Sequence, residues 1–229
     1  MSKGGQGEDK ATFFGRLRAS LQRSGEAELT EAPPTVDPSL MRLAEADGHE
    51  VALFAEKATA TGLRVTRLNA EAVGEHVDAL VGQFEADNAI VGLSAAVGEQ
   101  LPLAERLRGQ GVSLIDWAAD GDAAFDATLG VVDAHAALAE TGTVVCASDA
   151  ARGRCLSLLP PRVIVLLPAS AIVADMLDYW RSVPGADSAA LPSSQVFITG
   201  PSKTADIEGE MVTGVHGPGE VHVLVIDDM

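Results

Sequence analysis

Hydrophobic positions along this chain follow two rhythms, a helical recurrence and short continuous apolar runs, and the two alternate. Within Thr12–Arg23, Phe13, Leu17 and Leu21 recur at i, i+4 and i+8 with Phe14 beside them, which predicts a short amphipathic helix. It ends near Ser24-Gly25, and Ala32-Pro33-Pro34 forms an extended linker behind it. Leu40–Thr61 reads as a helix stopped by Gly62, Arg64–Leu68 as a strand, and Glu71–Phe84 as a helix. Ala89–Leu93 is a buried-type strand, Glu99–Arg108 a helix closed by Gly109 and Gly111, and Val112–Asp116 the next strand. Val144–Ala147 and Val163–Leu167 add apolar runs, Ala171–Arg181 a helix, and Gln195–Thr199 and Val221–Ile226 two final strands. Strand and helix in regular alternation predict an α/β fold with a mainly parallel sheet, right-handed crossovers and helices on both faces. The organisation that follows is an arm at 1–38, with its helix and Pro-rich linker, and an α/β domain at 39–229.

Composition narrows the function classes. The chain has 229 residues, of which 47% are hydrophobic, and its mean hydropathy is +0.17, enough to build a sizeable core. Sixteen Lys and Arg against 33 Asp and Glu give a formal charge of −17. Residues 1–31 carry equal numbers of acids and bases, so the excess resides in 32–229. Such a chain lacks the basic footprint of a nucleic-acid binder, and an anionic membrane surface repels it. No apolar run reaches the ~20 residues of a spanning helix, since the longest, Val163–Ala174, contains Pro168 and Ser170, so no membrane insertion is expected. Two cysteines, Cys146 and Cys155, cannot build a four-thiolate cluster or a structural zinc site. Met1–Lys10 has no apolar signal region, and a cytoplasmic protein is the expectation.

Candidate chemistry gathers in three stretches. The first is Ala139-Glu140-Thr141-Gly142-Thr143, read as entering the strand Val144–Ala147 from a short helix. The second, Arg152-Gly153-Arg154, follows that strand. The third, Gly200-Pro201-Ser202-Lys203-Thr204-Ala205-Asp206-Ile207-Glu208, follows Gln195–Thr199 and precedes Gly214-Val215-His216-Gly217-Pro218. In an open α/β sheet, ligands sit outside the carboxyl ends of strands, so these loops are the places to look. Scarce cations (Arg152, Arg154, Lys203) beside glycines and hydroxyls suit phosphate or carboxylate, although the spacing is not that of a P-loop. The bland alternative is a structural loop in which Lys203 pairs with Asp206 or Glu208. Glu140 is a candidate nucleophile or base, or else braces its loop by accepting N–H bonds. His216 and His222 with Asp206 and Glu208 do not form a metal-ligand pattern, and no metal or cofactor is expected; no Gly-x-Gly-x-x-Gly occurs. Ser94 reads as a helix N-cap, Cys146 as inert core, Trp117 and Trp180 as packing residues. Cys155 follows two arginines that would favour its thiolate, yet a structural role is the preferred reading.

These motifs together (Ala139–Thr143, Leu158-Leu159-Pro160, Gly200–Glu208 and Gly214–Pro218) resemble the LUD-domain family, in its LutC-like branch, over about Ser39–Asp228. The resemblance implies a Rossmann-like three-layer sandwich similar to the NagB/RpiA/CoA-transferase group. It also implies lactate utilization: a non-redox component that helps oxidise L-lactate to pyruvate with LutA-like and LutB-like iron–sulfur partner proteins. On that reading a small anion binds at the Glu140, Arg154 and Ser202–Glu208 loops. Lys203 stands where the family often has arginine, which keeps the charge but not the planar fork. Two alternatives stay open. One is a stand-alone transferase, isomerase or ligase-type enzyme that uses Glu140 on a phosphorylated or CoA-ester substrate. The other is an assembly or regulatory module.

Overall fold

The computed structural model describes residues 9–21, 37, 42–44, 47–119, 121–149, 152–183, 192–207 and 210–229; for 205–207 and 210 it describes the backbone. The chain separates into two compact units, Met1–Asp37 and Pro38–Met229. In the first, helix α1 (Lys10–Ser20) starts at Asp9, whose carboxylate accepts the N–H groups of Ala11 (2.9 Å) and Thr12 (3.1 Å). Its apolar stripe of Phe13, Phe14, Leu17 and Leu21 is exposed. The expected helix end at Ser24-Gly25 and the linker at Ala32–Pro34 lie outside the described residues.

The second unit is organised by six parallel strands. In chain order they are β1 (Arg64–Leu68), β2 (Asn88–Gly92), β3 (Ser113–Leu114), β4 (Leu129–Asp133), β7 (Arg162–Pro168) and β12 (Glu220–Ile226). Their order across the sheet is β1-β12-β7-β4-β2-β3, and every pairing is parallel. The mainly parallel α/β sheet expected from the apolar runs is therefore present. Central strands such as β7 and β12 are buried on both faces, so they are continuously apolar rather than alternating.

One face is covered by α3 (Ala70–Phe84), α4 (Ala95–Gln100) and α5 (Leu103–Gly109). In α3, Val73, Val77, Leu80, Val81 and Phe84 share the stripe that packs on Leu129, Ile164 and Leu224. The single helix expected over Glu99–Arg108 is two, broken at Leu101-Pro102, because proline has no N–H to continue the first. Ser94 caps α4 as expected.

The other face departs from the expectation of helices alone. It carries α2 (Glu50–Thr61), a second sheet and α6 (Cys155–Leu158). The second sheet has the order β8-β5-β6-β9, from β8 (Ile172–Val173), β5 (Ala136–Leu138), β6 (Thr143–Ser148) and β9 (Ser194–Ile198). β6 is antiparallel to both β5 and β9. The short helix expected before Glu140 is thus the strand β5, whose Ala-Ala-Leu sequence favours a helix locally and is held extended by pairing with β6 and β8. α7 (Met176–Ser182) lies over the outer face of this sheet, where Tyr179 packs with Ala136, Leu138 and Val145. It starts five residues later than expected, after β8. α6 packs against Gly92 and Gly130, where any side chain would collide with Leu156 or its carbonyl within 2.4 Å. A hairpin of β10 (Lys203–Ile207) and β11 (Glu210–Thr213) occupies the polar stretch read as a loop. No described helix is long and apolar enough to cross a membrane.

Candidate functional site

The parallel sheet has two ends, and the candidate residues divide between them. At the carboxyl ends of β2 and β4 the strand order reverses, which opens a crevice at the switch point. Asp133, the last residue of β4, is 5% exposed there. Its Oδ1 accepts the Ser94 N–H at 2.9 Å, and its two oxygens accept weaker bonds from Arg152 Nη1 at 3.4 and 3.3 Å. Arg152 also donates through Nε (2.9 Å) and Nη2 (2.7 Å) to Asp149 Oδ2. Arg152 and Arg154 line a notch of about 10 Å³, with room for one water, against Cys146 and Ser148. Arg154 itself is exposed and forms no ion pair among the described residues. The charges here balance: two guanidinium groups stand beside the carboxylates of Asp133 and Asp149.

The third candidate stretch lies at the opposite end. β9 runs antiparallel to β6, so the loop that follows it emerges by the amino ends of the parallel strands. The bonds fix this placement: Ser202 N–H donates to the Pro218 carbonyl (2.8 Å), and Gly219 N–H to that of Pro161 (3.0 Å), just before β12 and β7 begin. The expectation that this loop sits at the carboxyl ends is corrected accordingly, since a second sheet reverses the sense of "after the strand". Gly200, Ser202 and His216 line a cavity of about 210 Å³ whose apolar wall is Leu158, Phe197, Pro218 and Val221. Gly214 N–H donates to the Ser202 carbonyl (2.9 Å), so the two motif loops are braced on each other. The Ser202 hydroxyl and the His216 imidazole make no hydrogen bond among the described residues.

The notch and the larger cavity share Ser157 and Val196 as walls. The two cavities therefore adjoin each other along the groove between α6 and the β9 edge of the second sheet.

The remaining candidates fall elsewhere. Lys203 does not face the groove: its ammonium donates to the Thr61 carbonyl at 3.0 Å and neutralises the last turn of α2. Thr204 is half-buried in β10, Asp206 lies in the same strand, and Glu208 is outside the described residues. Lys203 thus forms a bond with helix α2; the surface pair expected with Asp206 or Glu208 involves side chains outside the described residues. Glu140, Thr141 and Gly142 lie in the β5–β6 turn, and Thr143 is the first residue of β6. Thr141 and Thr143 share a hydroxyl bond of 2.7 Å, and Thr143 another of 2.7 Å with Thr199. Gly142 (φ +64°) and Gly200 (φ +86°) receive α2 so closely that a Cβ would stand 2.1 Å from Ala58 N and 2.6 Å from Thr61 O respectively. The bracing of this turn therefore comes from hydroxyls and backbone: Glu140 N–H donates to the Ala174 carbonyl (2.9 Å), while its half-buried carboxylate accepts no hydrogen bond among the described residues.

Cys146 is buried as expected, and burial, with Asp133 adding to it, pushes its thiol up to about 12. Cys155 is half-buried and burial raises its thiol, which accords with a structural role rather than an arginine-favoured thiolate. Trp117 packs on Gly153, in line with a packing role. Among the described residues no three His, Cys, Asp or Glu side chains group as metal ligands. Asp133 is the residue that sequence reasoning missed; its signal was a carboxylate closing the run Leu129–Val132, obscured by Gly130.

The architecture is that of an α/β protein with a doubly covered parallel sheet, and similarity to known proteins narrows it. Residues 51–226 match the model of the LUD domain. Over 227 residues the chain is 30% identical to "Lactate utilization protein C" of Halalkalibacterium halodurans, which covers 96% of this chain and 98% of that one. It is 38% identical over 133 residues to the protein of the same name from Bacillus licheniformis, a match that spans only 55% of each. In fold it is similar to a crystal structure of a DUF162 family protein from Deinococcus radiodurans, with a TM-score of 0.60 and 20% identity over 80% of this chain and 99% of that one. The chain belongs to the LUD-domain family.

Proposed function

We propose that the chain is a component of a lactate-utilization system that holds a small carboxylate anion in the groove between α6 and β9. The reading of the process rests on one observation, the near full-length similarity to a protein named for lactate utilization. The reading of the site rests on the groove, which gathers Arg152 and Arg154 at one end and Gly200, Ser202 and His216 at the other. No step of electron transfer is assigned to this chain's own side chains, because its two cysteines are too few to hold an iron–sulfur cluster. The oxidation of L-lactate to pyruvate falls to LutA-like and LutB-like iron–sulfur partners in the cytoplasm, and this chain serves them as a non-redox subunit.

Affinity isolation of the tagged chain from its native host grown on L-lactate tests the partnership. Iron-containing proteins are expected to co-elute in fixed ratio and to be absent from a control tag. A chain that elutes alone and iron-free would instead favour an independent enzyme. Glu140 is a poor centre for such an enzyme, since its turn lies outside both groove cavities.

A further inference from the structure

Beside the groove a second crevice opens outside the carboxyl ends of β2 and β3, and we propose that it binds a ribonucleoside 5′-phosphate, with the base on Trp117, the ribose diol on Asp116 and the phosphate on Arg108. This site does not depend on the anion reading for the groove. Topology places it. β2 and β3 are adjacent and parallel, and α4 and α5 connect them over one face, so the residue that follows β3 stands at the open end of a βαβ unit. The Ile115 N–H donates to the Ala89 carbonyl at 2.9 Å, which continues the pairing, and Asp116 comes next. A carboxylate in that position is how such units hold ribose hydroxyls. The crevice measures about 260 Å³ over an apolar floor of Val91 and Leu114, near the lower end of the range for ligand pockets and larger than either cavity of the groove.

Three side chains of different chemistry line it. Asp116 is oriented before any ligand arrives: its Oδ1 accepts the N–H groups of Ala118 and Ala119, each at 3.2 Å, while Oδ2 accepts no hydrogen bond among the described residues. In a chain of −17 such a carboxylate repels anions and takes donors, and a vicinal diol presents two. The half-buried Trp117 is fixed as a platform, because its six-membered ring rests on Gly153, where a Cβ would stand 2.7 Å from Cζ3. Arg108 supplies the cation. Of the two arginines in the last turn of α5, Arg106 donates to both oxygens of Asp78 at 2.7 and 2.6 Å, whereas Arg108 makes no hydrogen bond or ion pair among the described residues. The turn after β2, Gly92-Leu93-Ser94, lacks the glycines that cradle a pyrophosphate, and the Ser94 hydroxyl already accepts the Val97 N–H at 3.4 Å. A mononucleotide with one phosphate on Arg108, not a dinucleotide, is therefore the ligand that fits.

The test is calorimetric titration of the full chain with AMP, using adenosine and 2′-deoxy-AMP as comparisons, beside the fluorescence of Trp117 in a Trp180→Phe background that leaves it the only tryptophan. Saturable binding of AMP is expected, with a Kd below about 1 mM and Trp117 emission quenched. 2′-Deoxy-AMP should bind about tenfold or more weakly than AMP. Asp116→Asn, whose side-chain oxygen still accepts the Ala118 and Ala119 N–H groups, should erase that preference. Arg108→Gln should bring AMP down to the affinity of adenosine. Trp117→Leu, checked by its thermal transition, should weaken AMP about tenfold, and the fluorescence carries the same information where that variant fails to fold. Equal affinity for AMP and 2′-deoxy-AMP would overturn the role of Asp116. AMP binding that leaves the fluorescence unchanged and survives the Asp116 and Arg108 variants would overturn the placement. Absence of saturable binding of AMP and adenosine up to about 10 mM would overturn the site itself.

Discussion

Gly142 stands in the motif that first suggested a catalytic loop, and its neighbours give it a structural task. Its left-handed φ and the Ala58 backbone at 2.1 Å from any Cβ leave no room for a side chain. Gly142→Ala is expected to cost upwards of about 2 kcal/mol, read as a lowered urea midpoint with an unchanged m-value. A variant as stable as the parent would show that α2 does not pack on this turn. His222 offers a second check on a single side chain. It is buried beside the Phe84 ring, its Nε2 lies 2.9 Å from Glu220 Oε1, and burial holds its imidazole below the ordinary value. The unfolded chain therefore takes up this proton first as pH falls. The His222 contribution is complete above about pH 6.5 and declines as pH drops below it toward the folded-state value. Thermal midpoints measured from pH 7.5 to 5.5 should fall for the parent and fall less steeply for His222→Phe. Parallel profiles would contradict that assignment.

Elements show how far sequence patterns carry and where they stop. β7 and β12 are legible because a parallel strand buried on both faces must be continuously apolar, and α3 because its stripe keeps the helical period over fifteen residues. β4 is hidden by Gly130, which lowers strand propensity yet is required where α6 approaches. β5 is three residues long and is defined by pairing with β6 and β8, information that no local window contains. The candidate site was legible as residue types but not as a place. Arg152 and Ser202 follow strands in the same way along the chain, and only the antiparallel pairing of β6 and β9 sends them to opposite ends. Lys203 shows the same limit, because a cation beside a glycine-rich turn suits an anion or a helix terminus equally until Thr61 is seen next to it. Lys203→Met is accordingly expected to lower stability by about 0.3–1 kcal/mol through α2 while leaving L-lactate affinity within about twofold. An affinity loss well beyond that, without a stability change, would return Lys203 to the binding site.

At the level of the whole molecule, a chain of −17 places its few cations with evident economy. Arg64, Arg67, Arg106 and Arg152 are each paired with carboxylates, Arg162 bonds the Phe84 carbonyl, and Lys203 closes a helix. Each of these six is engaged by a carboxylate or a carbonyl. The most direct measurement is growth of the native host, with the gene for this chain deleted, on L-lactate and on glucose as sole carbon sources. Growth should fail on L-lactate alone, return with the parental gene, and return poorly with Leu158→Trp. Undiminished growth of the deletion strain on L-lactate, with no second copy of the gene present, would contradict the proposed function.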